Sequence, residues 1–432
     1  MRTMNKIKFL RSKLKSFSDI YNGNSIPDDK KDSFVNKKIP YIATKNIDAD
    51  THQIDYENGL SVNEDDGFRI AKMKSSLLCI EGGSAGKKLG YLNQEVAFVN
   101  KLCCFTPKNI DSKFLFYSLQ SSDFLSEFSL HLTGMIGGVK IGEIKNLYIS
   151  YPDDLGEQHK IACFLDRKIG QIDNLISNQE KQIEKLKEYR QAIITKAVTK
   201  GLDPSVQMKD SGIEWIGKIP CTWQVKRIKD FLEKDDFGIK CGPFGSALTG
   251  KVISNGEYNI YGQWNVIGND FSIRRNTIEK KDYLNLISYS VRPKDILVSM
   301  MGSIGRCALV PEKIHPGIMD SHIIKIRLNF NEMNPYFFLY EYDKNNSTII
   351  SEFYNRAKKG FIMDGLNTSI IKNATFVSPP IDIQKKVVDY LDSFCSKVDA
   401  VISFKESKIQ KLQIYKKSLI YEYVTGKKRV SL

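Results

Sequence analysis

Two glycine-rich turns that end in basic residues are the segments of this sequence best suited to chemistry. The first, EGGSAGKK at residues 81–88, follows an apolar run. A P-loop would need glycine in place of Glu81 and Ser or Thr in place of Lys88, so this kind of nucleotide binding is not supported. The second turn, MGSIGR, stands at residues 301–306. Either turn could bind a phosphate through backbone N–H groups, a hydroxyl and a cation, or could be an ordinary glycine hairpin.

Other catalytic patterns are incomplete. The five histidines form no HExxH or similar metal-binding spacing, and no GxGxxG follows a strand-like run. NPYF at residues 334–337 resembles an amino-methyltransferase motif but lacks its second proline. It fits better as the start of a helix, with Asn334 as N-cap and Pro335 in the first position. The sequence therefore predicts a chain without its own catalytic site and without a metal site.

The overall charge favours a polyanionic partner. The 432 residues contain 64 Lys and Arg against 50 Asp and Glu, a net charge of +14. Phosphates neutralised by such a surface release counterions, although a basic protein can also be merely soluble. No apolar run approaches the ~18 residues of a membrane span, and no secretory signal is evident. The eight cysteines are scattered, apart from the adjacent pair Cys103-Cys104, and indicate mostly buried thiols in a reducing cytoplasm.

Polar residues that follow strand-like runs complete a set of candidate contacts with nucleic acid. Asparagine and glutamine amides can form paired hydrogen bonds with adenine, and lysines and arginines can bind phosphates. Each amide alone is a weak signal, and Lys358 and Lys359 could simply face solvent. The candidates are Lys45, Asn46, Ser84, Lys87, Lys88, Lys140, Gln263, Asn265, Ser303, Arg306, Lys358 and Lys359.

Two long helices must organise these segments. From Leu165 onward, apolar residues recur at alternating steps of four and three residues, which is the pattern of a heptad seam. The same pattern returns from Leu391 onward. In each copy two polar residues interrupt the apolar seam, and we call them the polar breaks. They return at the same interval, since Gln179 matches Lys405 and Arg190 matches Lys416. The apolar seam positions are Leu165, Ile169, Ile172, Ile176, Ile183, Leu186, Ile193, Leu391, Val398, Ile402, Ile409, Leu412 and Leu419.

A duplicated helix explains these matched breaks better than coincidence. A heptad stripe alone fits any bundle helix, but two matching stripes of this length favour pairing with each other. Halves related by a pseudo-twofold axis perpendicular to the helices would make the pair an antiparallel coiled coil. We therefore predict an α+β fold in which two mixed α/β units are joined by two long helices.

Weaker repeats lie between the helices and set the expected boundaries. Asn46 and Asn265 are separated by the same interval as the two glycine-rich turns. We expect a globular unit at residues 1–155, the first helix at 156–200 and a linker at 201–222. A second unit at 223–381 and the second helix at 382–426 follow. Trp215 and Ile216 are apolar for a linker, so we expect them to dock on the second unit.

The chain resembles the specificity subunits of type I restriction-modification systems over nearly its whole length. The segments that carry this resemblance are ITKAVTKGLDP (194–204), KDSGIEWIGKIP (209–220), CGPFGSAL (241–248), DILVSMMGSIG (295–305) and the duplicated helix. The first unit departs from the pattern in two ways. It has no upstream counterpart of GIEWIGKIP, and YNGNSIP (21–27) stands near the place of GPFGS.

This resemblance implies two target-recognition domains, each reading one half of a bipartite site on double-stranded DNA. The helices would set the separation of the half-sites and dock two methyltransferase (M) subunits, which restriction (R) subunits then join. S-adenosylmethionine, ATP and Mg²⁺ would belong to those partners, leaving this chain without cofactors, in the cytoplasm of a bacterium or archaeon. Two alternatives remain, namely a stand-alone DNA methyltransferase with its own recognition domain and a coiled-coil scaffold that binds no DNA.

Overall fold

The structure is a computed structural model that describes residues 8–133, 137–214, 216–234, 238–243, 247–301, 305–342 and 367–430. The chain forms two compact units. Unit 1 contains residues 1–182 and 404–432, and unit 2 contains residues 183–403. Both units therefore include part of each long helix, whereas the sequence predicted boundaries at the helix ends.

The described residues of unit 1 form ten strands and three short helices, followed by the first long helix. The strands are β1 (Phe9–Lys13), β2 (Ser18–Asn22), β3 (Ile39–Ile42), β4 (Leu60–Val62), β5 (Ile70–Ala71), β6 (Ser76–Cys79), β7 (Leu89–Tyr91), β8 (Val96–Phe98), β9 (Leu102–Pro107) and β10 (Tyr148–Pro152). The helices are α1 (Ser112–Ser118), α2 (Ser122–Leu130), α3 (Ile141–Ile144) and the long α4 (Leu155–Lys200).

Unit 2 continues from α4 to the second long helix, and its described residues form eleven strands. These are β11 (Met208–Asp210), β12 (Lys218–Pro220), β13 (Gln224–Arg227), β14 (Ile239–Cys241), β15 (Tyr258–Tyr261), β16 (Asn276–Ile278), β17 (Ile296–Ser299), β18 (Cys307–Leu309), β19 (Gly317–Met319), β20 (Ile323–Ile326) and β21 (Thr375–Ser378). Its described helices are α5 (Gln263–Gly268), α6 (Lys280–Asn285), α7 (Pro335–Tyr342), α8 (Thr368–Lys372) and the long α9 (Ile381–Val424).

The strand pairing of the two units corresponds almost strand for strand. The order β2-β9-β6-β7 in unit 1 matches β14-β20-β17-β18 in unit 2, and both sheets are antiparallel. A second sheet combines one parallel and one antiparallel pairing around β3 and around β15. The ribbon of β1 and β10 matches that of β13 and β21. The internal repeat and the α+β fold class predicted from the sequence are confirmed.

A short helix packs on each long helix through the same polar contacts. Asp111 caps α1, and its backbone N–H donates to Gln158 Oε1 at 2.8 Å. Asn334 caps α7, and its N–H donates to Gln384 Oε1 at 2.7 Å. The two glutamines are separated by the same interval as the two heptad seams. The prediction that Asn334 and Pro335 begin a helix is confirmed, since α7 starts at Pro335. Proline suits this first position because its missing N–H would have no partner within the helix there.

Segments of α4 and α9 pair antiparallel within each unit. In unit 1, Lys416 Nζ donates to Asp173 Oδ1 at 2.8 Å, and Lys405 Nζ donates to Gln179 Oε1 at 3.2 Å. In unit 2, Arg190 lies 3.4 Å from Asp399. Asp173 and Asp399 are themselves matched positions of the duplicated helix. The matched polar breaks therefore make the same cross-helix ion pair once in each unit.

The thirteen seam positions lie along this pairing face. Leu165, Ile169, Ile172 and Leu419 belong to the core of unit 1, and Leu391 to that of unit 2. Val398 and Ile183 are buried. Ile176, Leu186, Ile193, Ile402, Ile409 and Leu412 are half-buried. The coiled-coil arrangement follows from this burial together with the cross-helix contacts.

The segment predicted as a linker folds onto unit 2. Strands β11 and β12 form a hairpin, and Ile216 and Ile219 pack with Trp223, which precedes β13, and with Val377 of β21. Ile216 therefore docks as expected, whereas Trp215 lies outside the described residues. In unit 1 the ribbon has Arg11 and Ser150 where unit 2 has Val225 and Val377. Because this face of the β1–β10 ribbon is polar, it can stay in contact with water and does not need an apolar hairpin packed against it.

Candidate functional site

The glycine-rich turn of unit 1 is a tight loop between β6 and β7. Gly86 N–H donates to the Cys79 carbonyl at 2.8 Å, and Cys79 N–H donates to the Lys88 carbonyl at 2.8 Å. Gly82 and Gly86 have φ of +82° and +72°. Residues with a side chain are strained in this conformation, so the path of the loop depends on these glycines.

Four of the predicted cations lie at or beside this loop. Lys88 Nζ donates to the Thr44 carbonyl at 2.8 Å, which joins the loop to the short 3-10 helix Thr44–Asn46 and its exposed Lys45. Lys87 is exposed and donates to the Gly83 carbonyl at 3.1 Å. Val139 N–H donates to the Ile80 carbonyl at 3.0 Å, which brings the exposed Lys140 to the same loop. The partly buried Ser84 lies within the loop.

A further cation, Lys101, lies beside this loop and is not among the residues predicted from the sequence. Its carbonyl accepts the Ile80 N–H at 3.0 Å, and its side chain is exposed. The only signal in the sequence is a lysine in the turn between two apolar runs. Beneath this cluster, burial raises the pKa of the Cys79 thiol. We call Lys45, Lys87, Lys88, Lys101 and Lys140 the unit 1 cation cluster.

The described residues that flank the glycine-rich turn of unit 2 repeat the hydrogen bonds of the unit 1 loop with different side chains. Ser299 N–H donates to the Arg306 carbonyl at 2.8 Å, and Gly305 has φ of +77°. Arg306 is exposed. His322 occupies the place of Lys101, since its carbonyl accepts the Met300 N–H at 3.0 Å. Burial raises the pKa of the adjacent Asp320. Ser303, Lys358 and Lys359 lie outside the described residues.

The two matched asparagines have structural roles in place of the expected contacts with adenine. Asn46 is buried, accepts the Ala43 N–H at 3.0 Å and donates to the Asn58 carbonyl at 3.1 Å. Asn265 is buried, accepts the Gly262 N–H at 3.0 Å and donates to the Asp270 carbonyl at 2.8 Å. Both edges of each amide are occupied by the backbone, so neither is available to a base in this conformation.

A partly exposed aromatic group follows Gln263 in unit 2. Gln263 is itself partly exposed at the start of α5. Trp264 follows it, and the Arg275 guanidinium lies 5.6 Å from the centre of the indole ring. A tryptophan with an arginine over its ring can contact a base or a sugar, so this pair joins the candidate contacts. The sequence alone gives no signal for this pair, because neither residue belongs to a motif.

Metal ligands and membrane-spanning helices are two further features that bear on function. Within the described ranges, no group of three or more His, Cys, Asp or Glu side chains is arranged to hold a metal ion. None of the described helices has the length and apolar character to cross a membrane.

Comparisons with known proteins agree with this duplicated architecture. The model of the type I restriction modification DNA specificity domain matches residues 7–187 and 220–412. The MjaVIII specificity subunit of Methanocaldococcus jannaschii is 23% identical over 383 residues, covering 84% of this chain and 80% of that protein. The StySPI specificity subunit of Salmonella potsdam is 23% identical over 339 residues, covering 77% and 68%.

Solved structures show the same fold at low sequence identity. A chain from a study of complex assembly and conformational transition in the type I restriction-modification system aligns with a TM-score of 0.73 and 11% identity, covering 98% of this chain and 99% of that one. The HsdS subunit of Thermoanaerobacter tengcongensis aligns with a TM-score of 0.52 and 13% identity, with coverage of 98% and 99%.

Proposed function

The chain belongs to the type I restriction modification DNA specificity domain family, and from this premise we propose that it selects the DNA target of a multi-subunit restriction-modification complex. Its two recognition domains would each read one half of a bipartite site on double-stranded DNA. The observation that carries the proposal is the duplication itself. Two units of the same strand order, with different side chains around equivalent loops, suit two different half-sequences.

The unit 1 cation cluster supports phosphate contact in that unit. Five lysines from four chain segments converge on one loop, and the hydrogen-bond acceptors of Lys87 and Lys88 are backbone carbonyls. Cations at DNA phosphates supply affinity and orientation, whereas base edges supply sequence selection. In unit 2 we assign phosphate contact to Arg306 and base or sugar contact to the Trp264–Arg275 pair. Lys358, Lys359 and Ser303 stay predictions.

The chemistry would belong to partner subunits. A methyltransferase must extrude its target base from the stack and hold a methyl donor in a pocket. We propose that this chain is non-catalytic, and that S-adenosylmethionine, ATP and Mg²⁺ act on two M subunits and on R subunits. The long helices then serve as a spacer between the recognition domains and as the surface on which the M subunits dock.

Exposed apolar side chains on the long helices support docking of two identical partners. Leu175 is 47% exposed and Tyr415 is 52% exposed in unit 1, and Val401 is 45% exposed and Tyr189 is 53% exposed in unit 2. Leu175 and Val401 occupy matched positions of the duplicated helix, as do Tyr189 and Tyr415. Each of the four lies directly before a seam position, so all four are on the same flank of the apolar seam of their helix. Each unit therefore presents one aliphatic and one tyrosine side chain, a suitable centre for an apolar contact.

Docking can be tested with Tyr415→Asp and Tyr189→Asp in the full chain, purified with its methyltransferase subunit. Each change should remove one M subunit from the complex, as measured by sedimentation or mass photometry. Gln413→Asp is the matched control, because it places the same charge on the opposite flank of the seam. Equal loss in the control, or no loss in either tyrosine variant, would place the docking surface elsewhere.

Target selection can be tested by mapping methylated positions in a genome with and without this chain. The proposal expects one bipartite methylated motif that disappears when the chain is absent. Persistence of the motif would assign selection to another protein. A purified chain that bound S-adenosylmethionine would point to a stand-alone methyltransferase. A complex with its methyltransferase that bound no duplex would point to a scaffold.

A further inference from the structure

A cysteine, a histidine and an aspartate from α4 and the cap of α1 lie in contact in unit 1. Cys163 Sγ lies 3.4 Å from His159 Nε2, and His159 Nδ1 lies 3.0 Å from Asp111 Oδ2. Cys163 and His159 are one turn apart on α4, and Asp111 is the N-cap of α1. Nothing in DNA recognition or partner docking, as proposed above, uses these three residues.

The contacts fix the roles of the three groups. Asp111 Oδ1 accepts the N–H groups of Lys113 and Phe114, so the carboxylate is held in place by the helix it caps. Its other oxygen faces His159 Nδ1 and selects the tautomer in which Nδ1 carries the proton. His159 Nε2 then has a lone pair directed at the thiol of the exposed Cys163. This is the arrangement in which a histidine accepts the proton of an attacking thiol.

The internal repeat shows that the fold does not require these residues. The positions equivalent to His159 and Cys163 on α9 are Lys385 and Asp389, and Asn334 takes the place of Asp111 as the cap. Unit 2 therefore keeps the cap and the helix packing without a thiol or an imidazole. The reactive constellation belongs to unit 1 alone.

We propose that Cys163 is a site of reversible thiolation, activated by His159 and positioned by Asp111. Its co-reactant is a low-molecular-weight disulfide. The sulfur of Cys163 attacks one sulfur of that disulfide as the thiol proton passes to His159 Nε2. A new S–S bond forms and the old one breaks, so Cys163 is oxidised to the mixed disulfide. The departing thiolate carries the electron pair and recovers the proton from the imidazolium.

The chain contains a control for this reactivity in Cys221, the other exposed cysteine among the described residues. The full chain would be treated at neutral pH with 5,5′-dithiobis(2-nitrobenzoate), and the release of thiolate followed in Cys163→Ser and Cys221→Ser variants. Cys163 should react several-fold faster than Cys221. Equal or slower reaction of Cys163 would overturn the proposal.

The roles of the histidine and the aspartate need separate variants. His159→Gln should lower the rate at Cys163 to that at Cys221. Asp111→Asn should lower it about as far without changing the thermal unfolding midpoint, because Asn334 shows that asparagine serves as the cap. An Asp111→Asn protein that unfolds at the same temperature and reacts at the original rate would remove Asp111 from the assignment. A His159→Gln protein with the original rate would remove the activation altogether.

Discussion

Lys325 is a fully buried lysine in the central sheet of unit 2, at the position that Cys104 occupies in unit 1. Its ammonium donates to the Ser290 carbonyl at 2.7 Å. Next to it, Arg327 makes a two-pronged ion pair with Asp295 at 2.7 and 2.8 Å. Burial, and secondarily the charge of Arg327, lowers the pKa of Lys325 to about 8. A group of this kind makes stability depend on pH.

Lys325 should contribute a rise in the free energy of unfolding of unit 2 between pH 8 and about 10.5. Folded Lys325 releases its proton near pH 8, whereas the unfolded chain keeps it until about 10.4, so the unfolded state binds more protons in this window. The slope contributed by one such group is at most about 1.4 kcal/mol per pH unit. Urea unfolding of the full chain and of Lys325→Met measures it. The prediction fails if the methionine variant shows the same rise as the unmodified chain.

Gly23 and Gly242 lie at equivalent close approaches of two backbone segments, one in each unit. A Cβ on Gly23 would lie 1.8 Å from the Phe98 carbonyl oxygen, and one on Gly242 would lie 1.7 Å from the Asp320 carbonyl oxygen. Gly23→Ala and Gly242→Ala should therefore each destabilise their unit by roughly 3 kcal/mol or more. Gly83→Ala is the control, since nothing lies within 4 Å of its added methyl. Thermal unfolding should separate both variants from this control.

These residues show what the sequence could and could not predict at this scale. The place of Gly23 within YNGNSIP was evident, but its equivalence to Gly242 of CGPFGSAL required the backbone contacts. Asn46 and Asn265 were correctly paired with each other, yet amides that close a turn and amides that contact a base have the same sequence pattern. Only their burial and the carbonyls around them distinguish the two roles.

The paired helices were the element most predictable from the sequence. A heptad repeat specifies which face is buried, and the duplicated breaks indicated that the two stripes belong together. The partners of those breaks were not predictable, because Lys416 and Arg190 are matched to each other in sequence but bind Asp173 and Asp399. The β11–β12 hairpin was also missed, since its Pro, Gly and Asp content is that of a linker.

Removing the acidic partner of a buried seam lysine should destabilise unit 1. The Lys416 side chain is 11% exposed, so Asp173→Asn leaves an ammonium with less compensation for its lost hydration. We expect a loss of about 1 to 2 kcal/mol in the free energy of unfolding. Glu184→Gln is the control, because its pair with Lys187 is more than half exposed and should be worth under about 0.5 kcal/mol. Equal losses would show that the seam pair is no stronger than a surface pair.

At the scale of the whole molecule, duplication is visible in the sequence, whereas most of the divergence between the two units is not. Both units keep the glutamine that holds the cap, the positive-φ glycine at the end of the loop and the seam. They differ where His322 takes the place of Lys101, where Lys325 replaces Cys104, and where Val225 replaces Arg11. These differences lie in paired strands and loops whose register a single sequence does not define.

On the proposed spacer role, lengthening both long helices by one heptad should change the spacing of a bipartite DNA target and leave its half-sites unaltered. Seven residues after Gln182 in α4 and seven after Ser403 in α9 would extend each helix by about 10 Å while keeping the seam in register. At about 3.4 Å per base pair, the gap between half-sites should grow by about three base pairs. Methylation mapping measures both the gap and the half-sites. A variant with seven residues of each helix replaced but none added controls for altered sequence, and an unchanged gap in a folded, active lengthened variant would refute the spacer role.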